Sequence, residues 1–300
     1  MDTQIGNRPI IIGEVLFDCF DDGREVLGGA PFNVAWHLHA FGAQPLLISR
    51  IGEDARGDAI LKAMTEWGMD CRGIQHDPQH PTGQVALTMQ GHQHRFEILP
   101  DQAYDYLDTS TAMALPELSQ ASLWYSGSLV QRNSTSRSLI HAMQTLHLPR
   151  FVDVNLRDPW WQREEILAML QGVRWLKLNE DELAALGFSG PMIPAAKQLQ
   201  AQLGIELLIL TLGAEGAILL TSAQQLQGEP VPVASLVDTV GAGDAFASVM
   251  LLGLLRDWPL ASALQRALTF ASAQCERQGA IWQDRQGYQA LLAQWESEDE

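Results

Sequence analysis

Positive charge is in short supply in this chain. Against 36 Asp and Glu it carries 19 Lys and Arg, a formal net charge of −17. Nucleic acid and anionic membrane surfaces both demand a basic face, so neither is expected as a partner. A small anion is not excluded in the same way, because helix termini and bound cations set the potential of a pocket locally. Cysteine is scarcer still. Cys19, Cys71 and Cys275 are an odd number at unrelated spacings, which offers no disulfide framework and suits a reducing cytoplasm. Met1-Asp-Thr-Gln lacks the basic segment and apolar run of a signal peptide. The most continuous apolar run, residues 245–255, is too short to span a bilayer. A cytoplasmic protein is therefore expected. There is no internal repeat, low-complexity linker or composition break. With 46% hydrophobic content, one domain over residues 1–300 can bury a large core. The acidic end Glu296–Glu300 reads as a solvated tail.

Metal and nucleotide motifs are also missing. His76, His80, His92 and His94 follow no zinc-ligand spacing and read as surface polar residues. In the stretch 238–246, DTVGAGDAF, a GxGxxG pattern would need glycine where Phe246 stands. A Walker pattern would need a lysine that never follows. Any phosphate held there is expected to be cradled by backbone, not by a lysine.

What is present in that stretch is chemically specific. Val231–Val237 reads as an extended segment, Gly241-Ala242-Gly243 as a tight turn, and Phe246–Leu255 as a buried helix. That arrangement aims free N–H groups and a helix dipole at one point, an anion site. Asp244 is out of place in a site that only holds phosphate. In a site that transfers phosphoryl to an alcohol it has a use, because the attacking hydroxyl must lose a proton. The helix start is expected to keep Asp244 ionised; an N-cap Asp is the plainer reading.

Along the chain, short apolar strands alternate with helical stripes, predicting an α/β protein with a mostly parallel sheet. Pro9–Ile12 reads as a strand, then Asp18 sits among apolar neighbours. Gly28-Gly29-Ala30-Pro31-Phe32-Asn33 leads into a helix, with room for a ligand at the glycines and a donor and acceptor on Asn33. Residues 83–107 change period and read as an antiparallel hairpin, a candidate lid together with residues 14–30. Phe151–Arg157 reads as a strand carrying Asp153, Asn155 and Arg157 at its carboxyl end, where α/β sheets bind ligands. Asn179–Glu182 opens a short helix, its acidic residues suited either to the dipole or to a magnesium hydration shell. Gly213–Ala217 reads as a turn after the strand Leu207–Leu212. Helices are expected over 245–256, about 260–277 and about 286–296.

In order and spacing, GGAPFN (28–33), RIGEDARG (50–57), NEDE (179–182), TLGAEGA (211–217) and DTVGAGDAF (238–246) resemble the ribokinase-like (PfkB) sugar kinases over residues 9–290. The resemblance implies a three-layer α/β/α fold with a mostly parallel sheet and a small β lid. It implies an ATP-dependent, magnesium-requiring kinase acting on a free sugar. Asp244 matches the catalytic base, and Gly241, Ala242 and Gly243 the anion hole. Asp18, Gly28, Gly29 and Asn33 match sugar contacts, joined by Asn155 and Arg157. Asn179 and Glu182 match the positions that organise water around magnesium. Asn179, Thr211, Gly213, Gly216, Gly241 and Gly243 match the nucleotide pocket. Asp238 and Val240 match ligands of a monovalent cation, potassium, with partners expected near 273–280. GAPFN and DVNLR-D-P-W look most like bacterial fructokinases, although Val154 replaces the usual proline. Fructose is therefore the first acceptor expected, with 2-keto-3-deoxygluconate, ribose or a nucleoside as alternatives. A non-catalytic sensor on this fold would have no use for Asp244. Lid strands of this family often pair between subunits, so a homodimer is expected.

Overall fold

The computed structural model describes residues 8–90 and 93–298. Met1–Gln4, Gly91 and His92 of the expected hairpin turn, and the last two residues of the acidic tail lie outside them. Its first half runs β1 (Arg8–Ile12), β2 (Leu16–Phe20), β3 (Glu25–Gly28), α1 (Ala30–Ala40), β4 (Leu46–Gly52), α2 (Ala55–Trp67) and β5 (Ile74–Asp77). There follow β6 (Gly83–Gln90), β7 (Gln93–Ile98), α3 (Thr109–Met113), β8 (Ala121–Ser126), α4 (Ser134–Gln144), β9 (Arg150–Asp153) and α5 (Arg163–Met169). The second half adds β10 (Trp175–Asn179), α6 (Glu180–Ala185), α7 (Met192–Leu203), β11 (Leu207–Thr211), β12 (Ala217–Leu220), β13 (Gln225–Gly228), α8 (Ala242–Leu255), α9 (Leu260–Cys275) and α10 (Arg285–Glu298).

The main sheet has the order β13-β12-β11-β10-β9-β8-β1-β4-β5. From β5 to β11 every pairing is parallel, and only the β11–β12–β13 edge is antiparallel. Parallel strands are covered on both faces, so they read as continuous apolar runs whose alternate residues point to opposite layers. Ile11, Leu207 and Ile209 accordingly join the core under α1, α2, α8, α9 and α10. Ile10 and Ile12 face α3 and α4, and Leu208 and Leu210 face α5 to α7. This is the expected α/β/α sandwich. Among the described residues no helix is long and apolar enough to cross a membrane.

A second sheet, ordered β3-β2-β6-β7, pairs β2 with β3 and β6 with β7 antiparallel, and β2 with β6 parallel. Its strands end at Ile98. Residues Ala103–Tyr106, placed by the sequence within the lid, form a 3-10 turn against β4 with Tyr104 buried.

Chain order sets where a ligand can sit. The chain winds outward from β1 to β4 and β5, then returns to β8 on the other flank of β1. The carboxyl ends of β1 and β8 thus diverge into a crevice at the point where the winding reverses. The second sheet lies over this crevice.

Candidate active site

The crevice holds a cavity of about 490 Å³ lined by residues from both sheets and from α1 and α8. Of the residues singled out by the sequence, Asp18, Gly28, Gly29, Asn33, Asn155, Arg157, Val240, Gly241, Gly243 and Asp244 line it. Leu16, Val85 and Ile98 of the second sheet supply apolar wall.

Its floor is the start of α8. Gly241 is the N-cap, in left-handed backbone (φ 77°), and a Cβ there would come within 2.6 Å of Ala280 Cα. Only glycine fits that turn. Ala242 N is engaged with Thr239 O at 3.3 Å. Gly243 and Asp244 lie in the first turn, where amides have no intrahelical acceptor. Asp244 is therefore not the N-cap. Its Oδ2 accepts from Asn33 Nδ2 at 2.7 Å. Burial pushes its carboxyl up to about 6, against the opposing pull of Asn33, Lys177 and Arg157. Desolvation thus outweighs these opposing influences, yet a carboxyl at about 6 is still mostly ionised at neutral pH and able to accept a proton.

The opposite wall is built by the Gly28-Gly29 junction. Gly29 has φ 107°, and a Cβ there would lie 2.7 Å from Glu14 O. At Gly28 a Cβ would meet only Asp18 Oδ2 at 3.8 Å and Asn33 Oδ1 at 3.9 Å. The missing side chain leaves a space bounded by two oxygen acceptors. Asn33 is buried, and its Oδ1 has no hydrogen-bond partner among the described residues. Burial raises the Asp18 carboxyl to about 6, with Arg157 opposing.

Two chemically important residues were not anticipated. Lys177, buried in β10, donates from Nζ to Asp153 Oδ2 at 2.7 Å. Nζ also lies 3.7 Å from where a Cβ on Gly243 would be. A lysine thus does stand at the glycine turn, delivered from another strand and not from a Walker sequence. Burial disfavours its charge, but Asp153, Glu182 and Asp244 together raise its pKa above the ordinary value. Glu14, just past β1, is buried, its Oε2 without a partner among the described residues; burial pushes its carboxyl to about 7. In the sequence Lys177 is one polar residue inside an apolar strand and Glu14 one residue of a turn. Their convergence needs the strand order.

Other expectations are revised. Val231–Val237, read as an extended segment, belongs to neither sheet. It is irregular, leaves Leu236 and Val237 exposed, and is pinned where Val237 N and Asp238 N donate to Cys275 O. The strand expected over 151–157 stops at Asp153, and Asn155 turns into left-handed backbone (φ 41°). Arg157 is consequently in an exposed loop. Asn179, Glu182, Thr211, Gly213 and Gly216 lie beside the cavity at the ends of β10 and β11, not on its wall. Asn179 and Glu182 form a reciprocal capping box, each side chain accepting from the other's N–H at 2.8 Å. Glu182 Oε1 also accepts from Leu156 N at 2.8 Å. Gly213–Gly216 makes the hairpin between β11 and β12. The acidic segment Glu296–Glu298, read as a solvated tail, is exposed but helical, and completes α10. His76 and His80 join no metal cluster, none being found among the described residues; His80 stacks on Tyr106 instead.

The comparison with known proteins decides the class. A family model described as pfkB family carbohydrate kinase matches residues 20–285. The chain belongs to this family. It is an ATP-dependent sugar kinase with the ribokinase-like fold. A fructokinase of Escherichia coli is 27% identical over 263 residues, covering 81% of this chain and 83% of that protein. A fructokinase of Xylella fastidiosa with bound ATP superposes with a TM-score of 0.86 at 20% identity, covering 98% of this chain and 100% of the other. A double-mutant fructokinase of Vibrio cholerae, in a form with fructose, ADP and potassium bound, gives 0.81 at 23% identity over 97% and 100%.

Proposed function

We propose that this kinase transfers the γ-phosphoryl group of ATP to a hydroxyl of a free sugar, fructose first, with Asp244 as general base. The observation that carries this reading is the geometry around Asn33. Its amide nitrogen holds Asp244, while its unpartnered Oδ1 borders the glycine-walled space beside Asp18. A polyol suits that space, because buried acceptors left without donors demand hydroxyls.

On this reading Asp18 and Asn33 orient the sugar, with Asn155 and Arg157 at the cavity mouth. The attacking hydroxyl gives its proton to Asp244 as its oxygen bonds to the γ-phosphorus, and the bond to the β-phosphate oxygen breaks to release ADP. The amides of Gly243 and Asp244, with Lys177 nearby, stabilise charge on the transferred group. ATP is assigned to the flank formed by Asn179, Thr211, Gly213 and Gly216.

Magnesium fits only as an outer-sphere guest. Both Glu182 oxygens already accept backbone N–H groups, yet each keeps a lone pair for a water, and Asp153 Oδ1 is buried without a partner among the described residues. That suits an ion that retains most of its waters. When bound, it would neutralise charge on the phosphates.

The second sheet is assigned as a lid, since its apolar residues roof the cavity while its ladder is separate from the main sheet. Its outer strands β3 and β7 are edges through which a homodimer would pair.

The test is ATP turnover with magnesium on fructose, ribose, 2-keto-3-deoxygluconate, glucose and adenosine. A hydroxyl-matched pocket discriminates by up to about 10⁴–10⁵, so one acceptor should dominate. Preference for another member of the panel removes fructose; turnover on none, with ATP still bound, points to an untested acceptor or to the non-catalytic sensor.

A further inference from the structure

The segment that the resemblance assigns to a monovalent cation is already filled by a side chain. Gln274, fully buried in the last turn of α9, donates its Nε2 to Val240 O at 3.2 Å and also to Gly279 O. Asp238 joins the same two segments from the other side. Its Oδ1 accepts from Val240 N at 3.0 Å and its Oδ2 from Gly279 N at 3.2 Å. Two carbonyl oxygens aimed at one point need something positive between them. Here the two hydrogens of a carboxamide supply it. A cation held by these carbonyls would have to displace the Gln274 amide nitrogen that already sits between them.

We propose that the Gln274 amide replaces the monovalent cation in this chain, so that the loop leading into Gly241 keeps its working shape without potassium. The orientation of the amide supports this. Its nitrogen has two acceptors, whereas its Oε1 is buried with no partner among the described residues. A polar group that leaves one end unsatisfied is placed for the other end. The consequence reaches the site, because Gly241 follows Val240 directly and packs on Ala280, the residue after Gly279. The functional weight of the inference rests on reading residues 241–244 as the phosphoryl site.

A thermal melt of the full chain tests it without sugar or ATP. The protein is exchanged into tetramethylammonium chloride and titrated with potassium chloride at constant ionic strength. The wild-type midpoint should stay within about 1 °C, whereas Gln274→Ala, which vacates the carbonyls, should gain roughly 2–5 °C from potassium. A potassium-dependent rise in the wild type overturns the proposal, and so does a folded Gln274→Ala that ignores potassium. If Gln274→Ala does not fold, the wild-type titration decides alone. Failure of every sugar in the turnover panel would leave this result untouched, so the two readings fail separately.

Discussion

Asn33 Nδ2 and Asp244 Oδ2 meet at 2.7 Å, tying α1 to α8 across 211 positions of sequence. The contact joins the residue that borders the sugar space to the residue assigned as base. Asp244→Asn should lower turnover by roughly 10²–10⁴, the scale for a positioned base. Sugar affinity, measured by calorimetry, should change little. Near wild-type turnover in this variant would remove Asp244 from the chemistry.

The pH profile follows from the raised carboxyl. Asp244, at about 6, must be deprotonated to accept a proton. kcat/KM should therefore fall as pH drops below about 6, approaching tenfold per unit. A flat profile from pH 7.5 to 5 would contradict the assigned base.

Glu14 makes a stability prediction of the opposite sense. Its carboxyl is raised from 4.5 to about 7 in the folded chain, so the folded state holds this proton more tightly than the unfolded one. The group contributes fully below the unfolded value, and that contribution is lost as pH rises from about 4.5 through 7. Glu14→Gln should be more stable than wild type at pH 8, by up to about 3 kcal/mol. The difference should vanish below about pH 4.5. Denaturant titrations at the two pH values check this; equal stability at pH 8 would refute it.

Lys177 and Asp153 form a buried pair at 2.7 Å. Replacing Lys177 by Met strands a carboxylate and should cost about 3–5 kcal/mol. The double replacement Lys177→Met with Asp153→Leu should recover much of that stability without recovering turnover. Full recovery of both would make the pair purely structural.

Neighbouring glycines should part company. At Gly29 a Cβ meets Glu14 O at 2.7 Å, so Gly29→Ala should destabilise by about 1–3 kcal/mol. At Gly28 the contacts are ordinary, so Gly28→Ala should keep stability within about 0.5 kcal/mol. It should nonetheless raise the KM for sugar by roughly 10-fold, the scale of a methyl group intruding on a matched space. Melting curves and initial rates on both variants separate the two effects.

What could be read beforehand was whatever the chain states locally. Strand–helix alternation gave the layers, and the glycine turn before an apolar helix gave the floor of the site. The hairpin after Gly83 announced itself by a change of period. Lys177, Glu14 and Gln274 could not be read in this way. Each is one polar residue in otherwise ordinary surroundings, and each acquires its role from what another segment brings alongside.

The union of α1 with α8 also bears on biosynthesis. Gly29 and Asn33 leave the ribosome well before Gly241–Asp244 and the α9 segment that steadies them. A truncated nascent chain can build the flank around β1 and β4, yet it has no floor on which a substrate could settle. The pocket must therefore form late. Until the closing helices arrive, neither substrate has a completed cleft to assist folding, so the growing chain cannot be rescued by the compounds it is made to handle.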